Sequence, residues 1–121
     1  MNMSIRSWLK QIGVDYVMKE IEKVQIPEFE TSDICRIKVT FKGRVQKVCF
    51  RLEMKEIANK LNLTGYSKNL EKGVVVSEIQ GEKDKVEFLV SHMHNIKRIK
   101  IKEEIRETIN VINNEREFLR L

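Results

Sequence analysis

The sequence predicts an α+β fold in which an antiparallel sheet carries two helices on one face and a separate helix precedes the whole. Three observations carry this reading. Apolar and polar residues alternate from position 35 to 42; apolar residues recur at three- and four-residue spacing over 50–62 and again over 86–93; and short runs of strand character lie between and after those helices. The resulting order of strand, helix, strand, strand, helix, strand is a split βαβ unit, the ferredoxin-like α/β sandwich (βαββαβ).

The N-terminal helix is read over residues 4–24, with Ile5, Trp8, Leu9, Ile12, Tyr16, Val17, Ile21 and Val24 on one face and Trp8 and Tyr16 as its large anchors. Gly13 weakens that helix without ending it. The only proline, Pro27, sits in an acidic connector that reaches Asp33. The chain is therefore divided into an N-terminal extension, residues 1–33, and a domain, residues 34–121. Within the domain, Cys35, Ile37, Val39 and Phe41 alternate with Arg36, Lys38, Thr40 and Lys42, the pattern of a strand with one buried face. Phe50, Met54, Ile57, Ala58 and Leu61 trace the stripe of the next helix. Strands over 64–70 and 74–80 are joined by a tight turn at Glu71, Lys72 and Gly73, which places Asn69 at a strand end beside the turn. Val86, Leu89, Val90 and Met93 mark the following helix. Ile101, Ile105, Ile109 and Ile112 would also suit a helix, but a strand over 97–107 completes the unit, and a short last strand is expected over 115–121. One sheet face is left open by this arrangement. The N-terminal helix is expected to cover part of that face, an edge strand, or a second copy of the chain in a homodimer.

A chain of 121 residues supports one domain with one core. Its net charge of +5 is unevenly placed, because residues 1–33 hold four basic side chains against six acidic ones and the remainder holds nineteen against twelve. Such a basic domain draws anionic ligands. Two cysteines, Cys35 and Cys49, make no disulfide framework, and the first apolar run is cut short by Lys10, Gln11 and Asp15, too soon for a signal peptide or a membrane span. A cytoplasmic protein with no membrane partner is expected.

Two segments carry the chemistry. The first, Gly43-Arg44-Val45-Gln46-Lys47-Val48-Cys49-Phe50-Arg51, is a turn entering a helix N-terminus, where main-chain N–H groups lie unpaired, and it ends in a guanidinium suited to phosphate or carboxylate. The second is Gly65-Tyr66-Ser67-Lys68-Asn69-Leu70-Glu71-Lys72-Gly73-Val74-Val75, followed by Gln80-Gly81. Together they resemble the two motifs of the acylphosphatase family, at Gly43, Val45, Gln46, Val48, Phe50 and Arg51 in the first and at Gly65, Tyr66, Asn69, Gly73, Val75 and Gly81 in the second. The resemblance spans roughly residues 34–121 and weakens after Gly81.

That resemblance implies a ferredoxin-like fold and a hydrolase that cleaves the carboxyl-phosphate bond of small acyl phosphates to carboxylate and inorganic phosphate, without metal or cofactor. It implies that Arg51 grips the phosphoryl oxygens, that main-chain N–H groups of a phosphate-binding loop made of Arg44, Val45, Gln46, Lys47, Val48, Cys49 and Phe50 surround them, and that Asn69 positions the attacking water. The main departure is Lys47, where the family pattern has glycine; a side chain there implies strain at positive φ, or a charge lent to the phosphate. Ser67 is a milder departure. A second reading is therefore a catalytically weak or inactive phosphate-binding module.

Other constellations carry less. Cys49 has no histidine or acid near it in sequence, so it reads as a packing residue rather than a nucleophile. His92 and His94, two apart on a helix, face different ways and do not form a metal pair. A basic ferredoxin-like sheet also suits RNA, yet the strands offer only Phe41 and Tyr66 for stacking, which argues against nucleic acid as a partner.

Overall fold

In the computed structural model, which describes residues 4–121, the helix period and the strand period each select an apolar face, and the faces meet in a common core. The chain runs α1 (Ile5–Glu22), β1 (Ile34–Arg44), α2 (Phe50–Lys60), β2 (Thr64–Asn69), β3 (Val74–Glu82), α3 (Lys83–His94), β4 (Lys100–Ile109) and β5 (Phe118–Arg120). Ile37, Val39 and Phe41 of β1 and Val75 and Ile79 of β3 are buried in that core with Phe50, Met54, Ile57 and Ala58 of α2 and Val86, Leu89, Val90 and Met93 of α3.

The sheet order is β4-β1-β3-β2-β5, with β1 antiparallel to both β3 and β4 and β2 antiparallel to β3. These strands and their two helices are the expected sandwich. β5 departs from it, because it lies beside β2 in parallel, from Gly65 opposite Phe118 to Ser67 opposite Arg120, so the sheet is not antiparallel throughout. The cause is the route of the chain. β4 and β2 are opposite edges of the four-stranded unit and run in opposite directions, and residues 110–117 cross the outer face from the end of one before β5 pairs along the other.

A polar network pins that crossing. The Gln80 carboxamide donates to Ile112 O (2.9 Å) and accepts from Ile112 N (2.8 Å), while Arg36, only 2% exposed, donates to Glu78 (3.0 Å), Gln80 (3.1 Å) and Glu115 (2.8 Å). Burial opposes the charge on Arg36, but its bonds to Glu115 and Glu78 outweigh it and hold the guanidinium above its ordinary pKa. Glu78 also accepts from Tyr66 Oη at 2.6 Å. Burial and then that bond push the phenol up to about 12.

α1 is not the cover for this face. It packs on the helix side against α2, with Val17 and Ile21 in the core and Met18 and Val24 at its margin. Lys60 of α2 adds a side-chain donor at its C-terminus, reaching Ile21 O at 2.7 Å and Val24 O at 3.1 Å. Trp8 and Tyr16 are not anchors either: they are 55% and 64% exposed, and Ile5, Leu9 and Ile12 are exposed with them. Only the C-terminal half of α1 is seated, because the apolar contacts and the lysine clamp both lie there.

Candidate functional site

The loop between β1 and α2 is shaped by glycine at one end and by left-handed residues at the other. Gly43 has φ 139° at a bulge against β4, and a Cβ there would sit 2.2 Å from Lys100 O, so only glycine lets β1 turn so close to its neighbour. Beyond it, Val45 is buried, and Lys47 and Cys49 adopt φ of 62° and 58° while Gln46 and Val48 keep negative φ. Backbone that alternates in this way turns successive N–H groups toward one side and forms an anion-binding concavity. The N–H groups from Gln46 to Cys49 have no main-chain acceptor among the described residues, and the first bond of α2 is Glu53 N to Cys49 O at 3.0 Å, which leaves the first turn of the helix unpaired too. Cys49, the N-cap, makes no side-chain cap bond among the described residues.

Polar clamps fix the loop from behind. The Gln46 carboxamide donates to Glu71 O (2.7 Å) and Val74 O (2.9 Å), tying the loop to the β2–β3 turn. Arg98 Nε donates to Val48 O at 2.8 Å, and its Nη2 donates to Glu53 at 2.6 Å. Glu53, 3% exposed, is completed by His92 Nε2 at 2.7 Å, and His92 stacks on Phe88. Burial would raise the Glu53 pKa, yet the bonds from His92 and Arg98 outweigh it and hold this carboxyl below the usual range. Its charge therefore stays available to orient Arg98.

Arg51 lies on the first turn of α2, and its Nη1 donates to the main-chain oxygen of Leu121. Leu121, the residue after β5, is itself held by its N–H to Ser67 O of β2 at 2.9 Å, so the guanidinium is fixed beside that strand. Asn69 closes that strand. Its side-chain Oδ1 is buried and has no hydrogen-bond partner among the described residues. Arg51, Asn69 and the loop residues Val45, Gln46, Lys47, Val48, Cys49 and Phe50 all line one open cleft of about 1380 Å³, whose other wall comes from α1. Arg44 is the exception, since it ends β1 and does not line the cleft.

The acylphosphatase family model matches residues 37–118. The chain belongs to the acylphosphatase family. Acylphosphatase-2 of turkey (Meleagris gallopavo) is 43% identical over 54 residues, which cover 45% of this chain and 52% of that protein. The human protein of the same name is 41% identical over 54 residues, covering 45% of this chain and 54% of its own length. The chain thus spans about half the length of the curated relatives it matches. Among solved structures, an acylphosphatase from Coxiella burnetii superposes with a TM-score of 0.67 at 30% identity over 74% of this chain and 94% of that one. An acylphosphatase from Bacillus subtilis, 22% identical, shares the fold with a TM-score of 0.67 over 74% and 99% of the two chains.

In this acylphosphatase-family chain the matched region excludes α1, although α1 lines the cleft. The sequence reading also missed Glu53, His92 and Arg98, which come from α2, α3 and the turn before β4. One signal was present: Glu53 falls between Phe50 and Met54, a charge against an apolar stripe, and such a residue is buried only with partners. His92 and His94 do face apart, toward Glu53 and Glu104. No group of three or more metal-ligating side chains occurs among the described residues.

Proposed function

We propose that this chain hydrolyses the carboxyl-phosphate bond of small acyl phosphates, with the loop of residues 44–50 as its phosphate-binding loop. The observation that carries the proposal is the orphaned Oδ1 of Asn69, a buried acceptor in the same cleft as a row of unpaired N–H donors and a guanidinium. A buried acceptor without a partner costs about 1–3 kcal/mol, and an acceptor that must receive a hydrogen of the attacking water explains why it is left open.

The phosphoryl oxygens take the loop N–H groups and the free donors of Arg51, whose remaining position is oriented by the Leu121 oxygen. Asn69 accepts one hydrogen of a water and turns its lone pair toward phosphorus. As the oxygen–phosphorus bond forms, the bond from phosphorus to the acyl oxygen breaks, and its electron pair leaves with the carboxylate. An amide is a poor base, so the water proton passes to a phosphoryl oxygen of the substrate itself. Products are a carboxylate and inorganic phosphate, and the scheme calls on no metal or cofactor.

The alternative of an inactive binding module rested on Lys47. That residue takes the left-handed conformation at φ 62° with its side chain exposed, so the lysine does not oblige the loop to open. We assign the chain to the cytoplasm on the two free thiols, Cys35 and Cys49; no helix among the described residues is long and apolar enough to cross a membrane.

The test is benzoyl phosphate hydrolysis alongside calorimetric phosphate binding. Arg51→Ala should lose both. Asn69→Ala should lower kcat about 100- to 1000-fold, the scale for one pre-positioned polar group, while phosphate binding persists. Full turnover in either variant would overturn the assigned roles.

A further inference from the structure

The cleft is larger than a phosphoryl group requires, and its charge is one-sided. Small-molecule sites occupy roughly 300–1,000 Å³, whereas this open cleft reaches about 1380 Å³. Its charged lining residues are Lys10, Lys47, Arg51, Arg98 and Arg120, and no aspartate or glutamate lines it. Arg51 and the loop N–H groups serve the phosphoryl group, and Arg98 is already paired with Glu53 at 2.6 Å. Lys10 stands on the far wall, on α1, with no ion pair among the described residues.

The wall itself is held in place and left roomy. The C-terminal half of α1 is seated by Val17, Ile21 and the Lys60 clamp, which fixes the line along which the rest of the helix runs. Gly13 lines the cleft, and a Cβ built there would meet nothing within 4 Å among the described residues. Glycine is disfavoured inside a helix relative to alanine, and here it leaves the cleft side of α1 free of a side chain one turn from Lys10.

Resting on the reading of residues 44–51 as the phosphoryl site, we infer that α1 is the acyl-side wall of the cleft and that Lys10 binds a second oxyanion on the acyl part of the substrate. With the phosphoryl group seated in the loop, the acyl chain runs along the cleft toward α1. A carboxylate or phosphate at its far end meets the Lys10 ammonium with no competing acid. The preferred substrate is thus an acyl phosphate bearing two anionic ends, and the specificity lies in a segment outside the matched family region.

The test uses non-hydrolysable ligands, so it does not depend on turnover. Binding of ω-phosphonoalkanoates of two to five carbons is compared by calorimetry with that of alkylphosphonates of equal length, which keep the phosphonate charge and lack the carboxylate. For at least one length the carboxylate should tighten binding by about two- to fivefold, the scale of an ion pair with an exposed lysine. Lys10→Glu should erase or reverse that gain, whereas Lys102→Glu, the same charge change on exposed β4, should keep it; both variants are checked for an unchanged melting temperature. A carboxylate that adds nothing at any length, a gain that survives Lys10→Glu, or no phosphonate binding at all would overturn the inference. Failure to hydrolyse benzoyl phosphate with the carboxylate gain intact would instead overturn only the catalytic reading.

Discussion

Lys47→Gly separates the strain of the loop from its charge, and the two should move in opposite directions. A residue with a Cβ in the left-handed region costs about 1–2 kcal/mol, and Lys47 sits there at φ 62°. Glycine removes that cost but loses more chain entropy on folding, a penalty of about 0.5–1 kcal/mol. The net expectation is a gain of about 0.5–1 kcal/mol, or roughly 2–4 °C in melting temperature at this chain length. The ammonium is exposed and has no ion pair among the described residues, so its interaction with bound phosphate is that of a screened surface charge, about 0.2–1 kcal/mol. Phosphate affinity should therefore fall by up to about fivefold. Lys47→Ala supplies the control, since it keeps the backbone strain and removes the same charge. Urea denaturation and phosphate calorimetry on the three proteins decide it. If Lys47→Gly is no more stable than Lys47→Ala, the loop stores no strain at this position; if it binds phosphate more tightly than wild type, the lysine distorts the concavity rather than assisting it.

Two further predictions concern the polar networks. Arg98→Gln frees Val48 O and leaves the buried Glu53 with His92 alone, so stability should drop by about 1–3 kcal/mol in denaturant titration and phosphate binding should weaken with it; a stability loss with binding unchanged would show that the clamp does not shape the loop. Tyr66→Phe should cost about 1 kcal/mol at neutral pH, and because the Tyr66 pKa rises from about 10 unfolded to about 12 folded, its stabilisation is complete below pH 10 and disappears as pH climbs through 12; the gap between the two melting curves should close over that window, and a constant gap would refute the assignment.

What could be read from the sequence was what is local in the chain. Gly43 to Arg51 is one continuous turn, and Asn69 reaches the same cleft because a tight hairpin at Glu71 to Gly73 fixes the end of β2. The helix and strand periods therefore placed most of the elements to within a few residues. Periodicity states that a face is apolar and not what it meets, which is why Ile5, Trp8, Leu9 and Ile12 read like a core stripe although all four are exposed. The parallel entry of β5 depends on Arg36 meeting Glu115, 79 positions apart, and no local pattern encodes that pairing. The same holds for Glu53, His92 and Arg98, each ordinary alone and meaningful only once α2, α3 and the approach to β4 are packed.

The loop proposed to bind phosphate gives such distant residues a role. An anion site of main-chain N–H groups works only if those groups already point inward when the ligand arrives, because reorganising them at the moment of reaction would consume the interaction. Here two non-glycine residues, Lys47 and Cys49, are kept in the left-handed region at about 1–2 kcal/mol each, and something must hold them. The Gln46 carboxamide grips the hairpin ahead of Lys47, and Arg98 grips the carbonyl of Val48, the residue between the two strained positions. Arg98 is fixed in turn by a buried carboxylate whose charge two partners maintain. Folding thus sets the direction of the donors through a chain of contacts that runs from the loop to α3. Phosphate binding at the proposed loop should accordingly be sensitive to Glu53 and His92, neither of which lines the cleft.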